Sequence, residues 1–301
     1  MLSVIIPTYN RAEDLKICLE KLNRQKGVEF EIIVVDDGSR DHTLFVVEDL
    51  LSKIKNLRGF TQENSGQATA RNKGVEKAIG EIILFIGDDI WVEPDFLKKH
   101  LEAHQKHGEE NVVVLGFSTW SPGLEWEADG KRMVEVNDYM KFLETSGWQF
   151  GYGFLKPGFV DHPQPYKFFY TSNISMKKSF FEKEKFDESF TSYGWEDAEL
   201  GYRLWKNHAM KLFYEPEGKA YHHHFISESE LPKKMQAVGR SAVHFQRLHP
   251  EVKAVPQGFK KWFIKIATNP ITLPLTRLLG KNNYFKFKSW REFWRGVGRV
   301  K

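Results

Sequence analysis

Two neighbouring carboxylates, Asp88 and Asp89, follow Gly87 and the unbroken apolar run Ile82-Ile83-Leu84-Phe85-Ile86. A run of that length fits a strand buried on both faces, as in a parallel sheet. Its end would lie at the carboxyl edge of the sheet, where open α/β folds place their ligands. Two acids there can hold a hard divalent cation through oxygen, and the cation can hold a diphosphate. The competing reading is a surface turn, because Gly-Asp is common turn chemistry.

Other residues could share that edge. Asp36 and Asp37 end a second apolar stretch at 30–35. A carboxylate there can accept from a base N–H or from ribose hydroxyls, with Tyr9 offering an aromatic face. The alternative is a turn and helix cap. Arg71 falls early in a helix predicted over 68–79 and can reach a diphosphate, or can simply be solvated. Glu196 and Asp197 fall at a helix start, where free N–H groups stabilise anions. Plain dipole capping explains them equally. In the run His222-His223-His224, strand alternation puts His222 and His224 on one face. A histidine pair near an acidic site is a candidate metal ligand.

The elements that must position these residues alternate. Leu2 to Ile6 reads as a strand closed by Pro7-Thr8-Tyr9-Asn10, and Asn10 with Glu13 has capping-box spacing. Leu15, Cys18, Leu19 and Leu22 then share a helical stripe. Asp41 can cap a helix carrying Leu44, Val47, Leu51 and Ile54 on one face. Strand, helix, strand, helix implies a parallel sheet with right-handed crossovers. Pro94 starts another helix, and 111–117 is a further apolar strand. Residues 118–170 are crowded with aromatics, including Trp120, Trp126, Trp148, Phe150, Tyr152, Phe154, Tyr166, Phe168, Phe169 and Tyr170. They read as loops and short strands, with one helix near 137–144. Such segments line sugar sites, and ordinary core packing explains them as well. Residues 211–214 and 219–224 read as two short strands.

Composition bounds the answer. The 301 residues allow one large or two modest domains, and 41% hydrophobic content is ordinary for a globular protein. A single cysteine excludes a disulfide framework and a cysteine zinc site. The first residues enter a strand directly, so no signal peptide is expected. No apolar stretch is long enough for a transmembrane helix. The net charge of +4 hides an asymmetry: residues 251–301 carry 12 Lys/Arg and 2 acids, leaving 32 basic and 38 acidic residues in the rest. The first strand is followed by neither Gly-x-Gly-x-x-Gly nor a P-loop.

These pieces together resemble the inverting GT-A glycosyltransferases of family 2. The motifs are SVIIPTYNR at 3–11, IVVDDGS at 33–39, SGQATARNKG at 65–74, GDD at 87–89, TSNISM at 171–176 and GWED at 194–197. They occur in the family's order and cover roughly residues 2–225. The resemblance implies a GT-A fold, a Rossmann-like, mainly parallel mixed sheet flanked by helices. Its domain would span 1–225, with a nucleotide-sugar half at 1–110 and an acceptor half at 111–225. A helical, basic and aromatic extension would occupy 226–301. The resemblance further implies donor contacts from Pro7, Tyr9, Asp36, Asp37 and Arg71. Asp89 would bind Mn²⁺ or Mg²⁺, with His222, or alternatively His224, as a late metal or diphosphate contact. Gly87 stands where the family's run has its first acid, which leaves Asp88 on the ribose side. Asp197 matches the catalytic base, with Trp195 and Glu196 on the acceptor side.

The chemistry implied is one in-line displacement that inverts the anomeric carbon. The donor would be a nucleotide-diphospho-sugar, uridine being the commonest base of the family, and the acceptor a glycan or lipid-linked hydroxyl. A sugar-phosphate nucleotidyltransferase is the alternative enzyme, but it would want a Gly-rich basic loop after the first strand. A non-catalytic carbohydrate- or membrane-binding protein would not need both Asp89 and Asp197. Basic residues interleaved with Trp and Phe beyond Pro256 fit an interfacial helix on an anionic membrane, or a basic helix packed on the domain. The expectation is a cytoplasmic protein, peripheral on the inner face of the membrane. No nucleic-acid motif accompanies that basic composition.

Overall fold

In the computed structural model of the chain, residues 1–120, 127–128, 131–132, 155–223 and 229–300 are described. Contacts group them into two units. One comprises Met1–Ser121, Phe150–Ser189 and Asp197–His224; the other comprises Pro122–Gln149, Phe190–Glu196 and Phe225–Lys301.

The first unit is built on β1 (Leu2–Thr8), α1 (Ala12–Leu22), β2 (Phe30–Asp36), α2 (Thr43–Leu51), β3 (Leu57–Thr61), α3 (Gln67–Lys77) and β4 (Ile82–Ile86). Next come β5 (Ile90–Val92), α4 (Phe96–Lys106) and β6 (Val112–Trp120). A short antiparallel pair, β7 (Glu127–Ala128) and β8 (Lys131–Arg132), belongs to the second unit. Then β9 (Gly158–Phe159), β10 (Asn173–Lys177) and β11 (Lys211–His222) complete the main sheet, with the helix Glu196–His208 between the last two.

The sheet order is β3-β2-β1-β4-β10-β6-β11-β5, with β9 on β11. β1, β2, β3 and β4 pair in parallel, as do β6 and β11. β10 runs antiparallel to both β4 and β6, so it joins two parallel blocks. Continuous apolar strands are what a sheet covered on both faces demands. Val4, Ile5, Ile6, Ile32, Val34, Leu84 and Phe85 are fully buried. Leu15, Cys18, Leu19 and Leu22 of α1 share one core cluster with Val4, Ile6, Ile32, Val34 and Leu84, as their spacing predicts.

Several local expectations are corrected. Asn10 does not cap α1. It takes a left-handed backbone, φ 54°, its Oδ1 accepts from Arg40 N–H and its own N–H donates to Ser39 Oγ. The start of α1 is met instead by the 41–43 turn, where Thr43 Oγ1 accepts from Arg11 N–H. On α2 the buried stripe is Thr43, Val47 and Leu50, while Leu44 and Leu51 are 41% exposed. The run LFVVEDLL is apolar around most of the helix, so pattern alone could not choose the inward face. The two short strands expected at 211–224 are one strand, β11, with a register shift between Glu215 and Lys219. Pro216 and Gly218 lie within that shift, a bulge that bends the strand without ending it.

The bulge is fastened from below. Asn173 Nδ2 donates to the carbonyls of Phe117 and Gly218, and its Oδ1 meets His100 Nε2 at 2.8 Å. A Cβ on Gly116 would lie 2.4 Å from Asn173 Oδ1, so only glycine fits beside it. Of the aromatic crowd at 118–170, Tyr166, Phe168 and Phe169 are buried, Tyr166 against Tyr202 and Trp205. These rings are core. Trp126, Trp148, Phe150, Tyr152, Phe154 and the helix expected near 137–144 lie outside the described residues, as does His224.

The second unit is mainly helical: Leu231–Leu248, Gly258–Ala267, Thr272–Leu275 and Lys281–Val297, with a 3₁₀ turn at Thr276–Leu279. Helices Leu231–Leu248 and Lys281–Val297 cross where both carry glycine. A Cβ on Gly239 would fall 2.2 Å from Phe293 O, and one on Gly296 would fall 2.1 Å from Gln236 O.

Candidate donor and metal site

Register brings the ends of three strands to one level. β1 pairs β4 with Ile5 opposite Phe85, and β1 pairs β2 with Thr8 opposite Asp36. Continuing the first register by three residues sets Thr8 beside Asp88, and Thr8 Oγ1 donates to Asp88 Oδ2 at 2.8 Å. β11 pairs β5 with His222 opposite Ile90, and His223 N–H donates to the Asp89 carbonyl at 2.7 Å. Two parallel strands and one antiparallel hem thus hold the Gly87-Asp88-Asp89 turn from three sides.

Inside that frame, Asp89 Oδ1 lies 3.5 Å from His222 Nε2 and Asp89 Oδ2 accepts from Arg11 Nη1 at 2.9 Å. Arg11 Nε is 3.8 Å from Asp88 Oδ1, and Arg11 Nη1 is 3.5 Å from Asp14 Oδ2. Both aspartates are buried. Burial first, and then the charge of Asp89, push the Asp88 carboxyl well above the usual carboxylate range, while Arg11 and the Thr8 hydroxyl pull it back. Cys18, on α1 behind the turn, offers its thiol to the Gly87 carbonyl at 3.8 Å, and burial raises its pKa, with the two aspartates adding to the shift. Gly87 itself has a steric reason. A Cβ there would sit 2.7 Å from Asp89 Oδ1, in the space into which that carboxylate folds.

Among the described residues, no group of three His, Cys, Asp or Glu side chains is arranged to hold a metal by itself. The residues present nevertheless suit a divalent cation. Two buried carboxylates and an imidazole stand together, the oxygen and nitrogen donors that a divalent cation such as Mn²⁺ takes. Asp89 Oδ1 and His222 Nε2, 3.5 Å apart, stand about half an ångström wider than adjacent ligands on an octahedral ion bound at about 2.0–2.1 Å, so a small side-chain shift brings both onto one ion. Solvent, a diphosphate and the second Asp89 oxygen could complete the coordination.

The expected donor residues are placed as follows. Tyr9 is 43% exposed at the end of β1, and Pro7 pairs with Val35 one level below it. Asp36 accepts from Ser39 N–H, which makes it the turn cap of that loop. Asp37 accepts from Gln62 Nε2, Ser65 N–H and Gly66 N–H, so its carboxylate fastens the 62–66 loop to the end of β2. Arg71 is buried on α3, bonded to Gln67 and 5.4 Å from the ring of Phe186.

Asp197 stands on a different element, the helix Glu196–His208, where its Oδ1 accepts from Ala198 N–H. Within the same unit its charge acts on Tyr170, whose phenol is pushed far above its usual pKa, by burial first and by Asp197 second. Gly194 and Trp195, in the other unit, both take positive φ, 90° and 75°. A tryptophan held there stores strain, which accumulates at functional turns. The Trp195 ring packs 5.7 Å from Phe245, and Glu196 is buried.

The residue that sequence reasoning missed is Arg11. It ends the motif at 3–11, but its role depends on α1 beginning one residue later, which turns its guanidinium toward Asp88 and Asp89. Thr8 and Tyr170 were likewise invisible as partners, since each meets its carboxylate across the fold.

Residues 3–177 match glycosyl transferase family 2. Over 237 residues, 67% of this chain and 59% of the relative, the sequence is 33% identical to the uncharacterized glycosyltransferase YfnE of Bacillus subtilis. It is 31% identical to the validoxylamine A glucosyltransferase of Streptomyces hygroscopicus, covering 84% of this chain and 62% of that one. The chain thus spans about three-fifths of the length of these relatives. Among solved structures, the mannosyltransferase PcManGT of Pyrobaculum calidifontis, in complex with GDP-Man and Mn²⁺, superposes with a TM-score of 0.59. That pair is 16% identical and covers 98% of this chain and 84% of that one. S. aureus TarS in complex with UDP gives a TM-score of 0.56 at 18% identity, covering 100% and 93%. These likenesses establish the GT-A fold.

Proposed function

The chain belongs to glycosyl transferase family 2, and on that premise we propose that it moves a sugar from a nucleotide-diphospho-sugar to a hydroxyl of a glycan or lipid-linked acceptor, with inversion. The observation that carries this reading is the meeting of Asp88, Asp89, Arg11 and His222 at the carboxyl edge of the sheet. A nucleoside diphosphate needs positive charge at its phosphates and polar groups at its base and ribose. Arg11 provides the first, while Asp36, Asp37 and Tyr9 lie at neighbouring strand ends and suit the second, with Asp88 on the ribose side. Arg71 is assigned a place close to the base.

Asp89 and His222 would hold a divalent metal, Mn²⁺ or Mg²⁺, which supplies Lewis-acid stabilisation of charge on the departing diphosphate. The chain's own work is then simple. Asp197 takes the proton of the acceptor hydroxyl as its oxygen bonds the anomeric carbon. The bond from that carbon to the diphosphate breaks, and the nucleoside diphosphate leaves with the electron pair. The N-terminus of the Glu196–His208 helix favours a carboxylate at position 197. Trp195, in the strained turn before it, and Glu196, its first residue, are assigned to the acceptor side. A uridine donor is favoured because it is the commonest base of the family.

Calorimetric titration of UDP, GDP and dTDP, each with and without Mn²⁺, tests the donor site. One nucleotide is expected to bind tightly, to need the metal, and to lose affinity in Asp89→Ala. Binding that is indifferent to both metal and Asp89 would discard this reading of the site.

A further inference from the structure

The helix Gly258–Ala267 faces the wrong way for a helix that only packs. Phe259, Trp262, Phe263 and Ile266 recur at i, i+3, i+4 and i+7, which makes one continuous stripe. That stripe is turned outward: the four are 76%, 59%, 49% and 43% exposed. The one buried residue of this helix, Ile264, lies on the opposite flank, between the lysines. The apolar exposure continues past the helix through Ile271, Leu275, Leu278 and Leu279, of which Ile271 and Leu278 exceed 80%. Single exposed apolar side chains are ordinary, but eight in one 21-residue segment mark an interaction surface.

The charge around it is of one sign. Between Val252 and Arg291 there are nine Lys or Arg and no Asp or Glu. The cations of the segment sit over aromatic rings: Lys260 over Trp290, Lys261 and Lys265 over Trp294, and Arg277 over Tyr284, at 4.4 to 5.8 Å. This holds positive charge along the flank of the apolar stripe. None of the described helices is long and apolar enough to cross a membrane.

We propose that the segment 258–280 lies in the plane of an anionic lipid surface, with Phe259, Trp262, Phe263, Ile266 and Leu278 entering the acyl boundary and the basic residues meeting the headgroups. Apolar side chains give such a helix its depth, and cations give it preference for anionic lipid. A stripe of Phe, Trp, Ile and Leu flanked only by cations fits that partner on both counts. An acidic protein partner would use the cations but would leave the outward stripe without a role. The proposal rests on the second unit alone and is independent of the chemistry assigned to the first.

Vesicle flotation of the full chain tests it, with phosphatidylcholine alone and with equal parts phosphatidylcholine and phosphatidylglycerol. The chain should float with the anionic vesicles only. The double variant Trp262→Ser, Phe263→Ser, at two exposed positions, should keep its melting temperature and partition at least about tenfold more weakly. Equal flotation of variant and wild type would overturn the proposal, as would binding to neither vesicle or to both equally. Sedimentation velocity without lipid supplies the remaining outcome. A dimer that the double variant dissolves would make the stripe a subunit interface and overturn the lipid assignment.

Discussion

At the scale of single residues, Arg11 decides how the acidic pair behaves when no cation is bound. Its guanidinium bonds Asp89 at 2.9 Å and lies 3.8 Å from Asp88. It therefore neutralises part of the charge that a metal would neutralise, and the two compete for Asp89. Replacing it with glutamine should lower the thermal stability of the metal-free protein and tighten Mn²⁺ binding, by about tenfold if roughly 1.4 kcal/mol of the interaction survives solvent screening. Metal titration by calorimetry measures the change; weaker Mn²⁺ binding in Arg11→Gln would show that Arg11 supports the ion instead. Asp197 makes a contrasting prediction. A general base contributes to the transition state, so Asp197→Asn should cut turnover by about 10²–10⁴-fold and leave nucleotide affinity unchanged. A loss of nucleotide affinity with unaltered turnover would move Asp197 out of the base role.

At the scale of elements, β10 is the strand that joins the two parallel blocks, and a single proton chain ties it to α4. With both rings neutral, His104 Nε2–H donates to Ser175 Oγ, the Ser175 hydroxyl donates to His100 Nδ1, and His100 Nε2–H donates to Asn173 Oδ1. His100 must be neutral for its Nδ1 to accept, whereas His104 donates from Nε2 in either protonation state. Burial accordingly lowers the His100 pKa to about 3, and burial followed by the charge of Lys177 lowers that of His104 to about 4. The unfolded chain takes up these protons near pH 6.5. It therefore binds more protons at these two positions than the folded chain as pH falls from about 6.5 toward 4, and each histidine lowers stability over that window by up to about 1.4 kcal/mol per pH unit, with Asp88, whose pKa is raised on folding, contributing in the opposite direction. Urea melts at pH 7 and pH 5 should show the loss, and His104→Gln, which keeps a donor and cannot titrate there, should reduce it. A difference between the two pH values that His104→Gln leaves unchanged would rule out a neutral buried His104. Ser175→Ala breaks both links of the chain and should cost about 2–4 kcal/mol at pH 7. None of this was legible from sequence. His100 and His104 read as two positions on an amphipathic helix, and Asn173 as one letter of a motif. The strand ends carrying Asp36, Asp37, Asp88 and Asp89 were legible, because a buried parallel strand shows itself as an apolar run and its end as the first polar residues. The bulge in β11 and the buried stripe of α2 were not, because Pro and Gly mark bulges and breaks alike and a helix apolar on most sides does not name its inner face.

At the scale of the whole molecule, charge is divided along the chain. Residues 251–301 carry 12 Lys/Arg against 2 acids, and the preceding 250 carry 32 against 38. The part that holds the candidate site is therefore net negative, and its proposed ligand is a diphosphate. An anion approaching two buried carboxylates meets repulsion that a bound cation would offset, so cation and nucleotide should bind as a unit. The stability of the full chain can report this. Nucleoside diphosphate alone should shift the melting temperature little, whereas nucleotide with Mn²⁺ at about a hundred times its Kd should add about 2.7 kcal/mol, which for a chain of this size is a rise of roughly 5 °C. The nucleotide among UDP, GDP and dTDP that gives the largest joint shift identifies the donor class, and Asp89→Ala should abolish it. An equal rise without metal would mean that arginines hold the diphosphate, and would assign the Asp89–His222 pair to fastening β11 against the turn at Gly87.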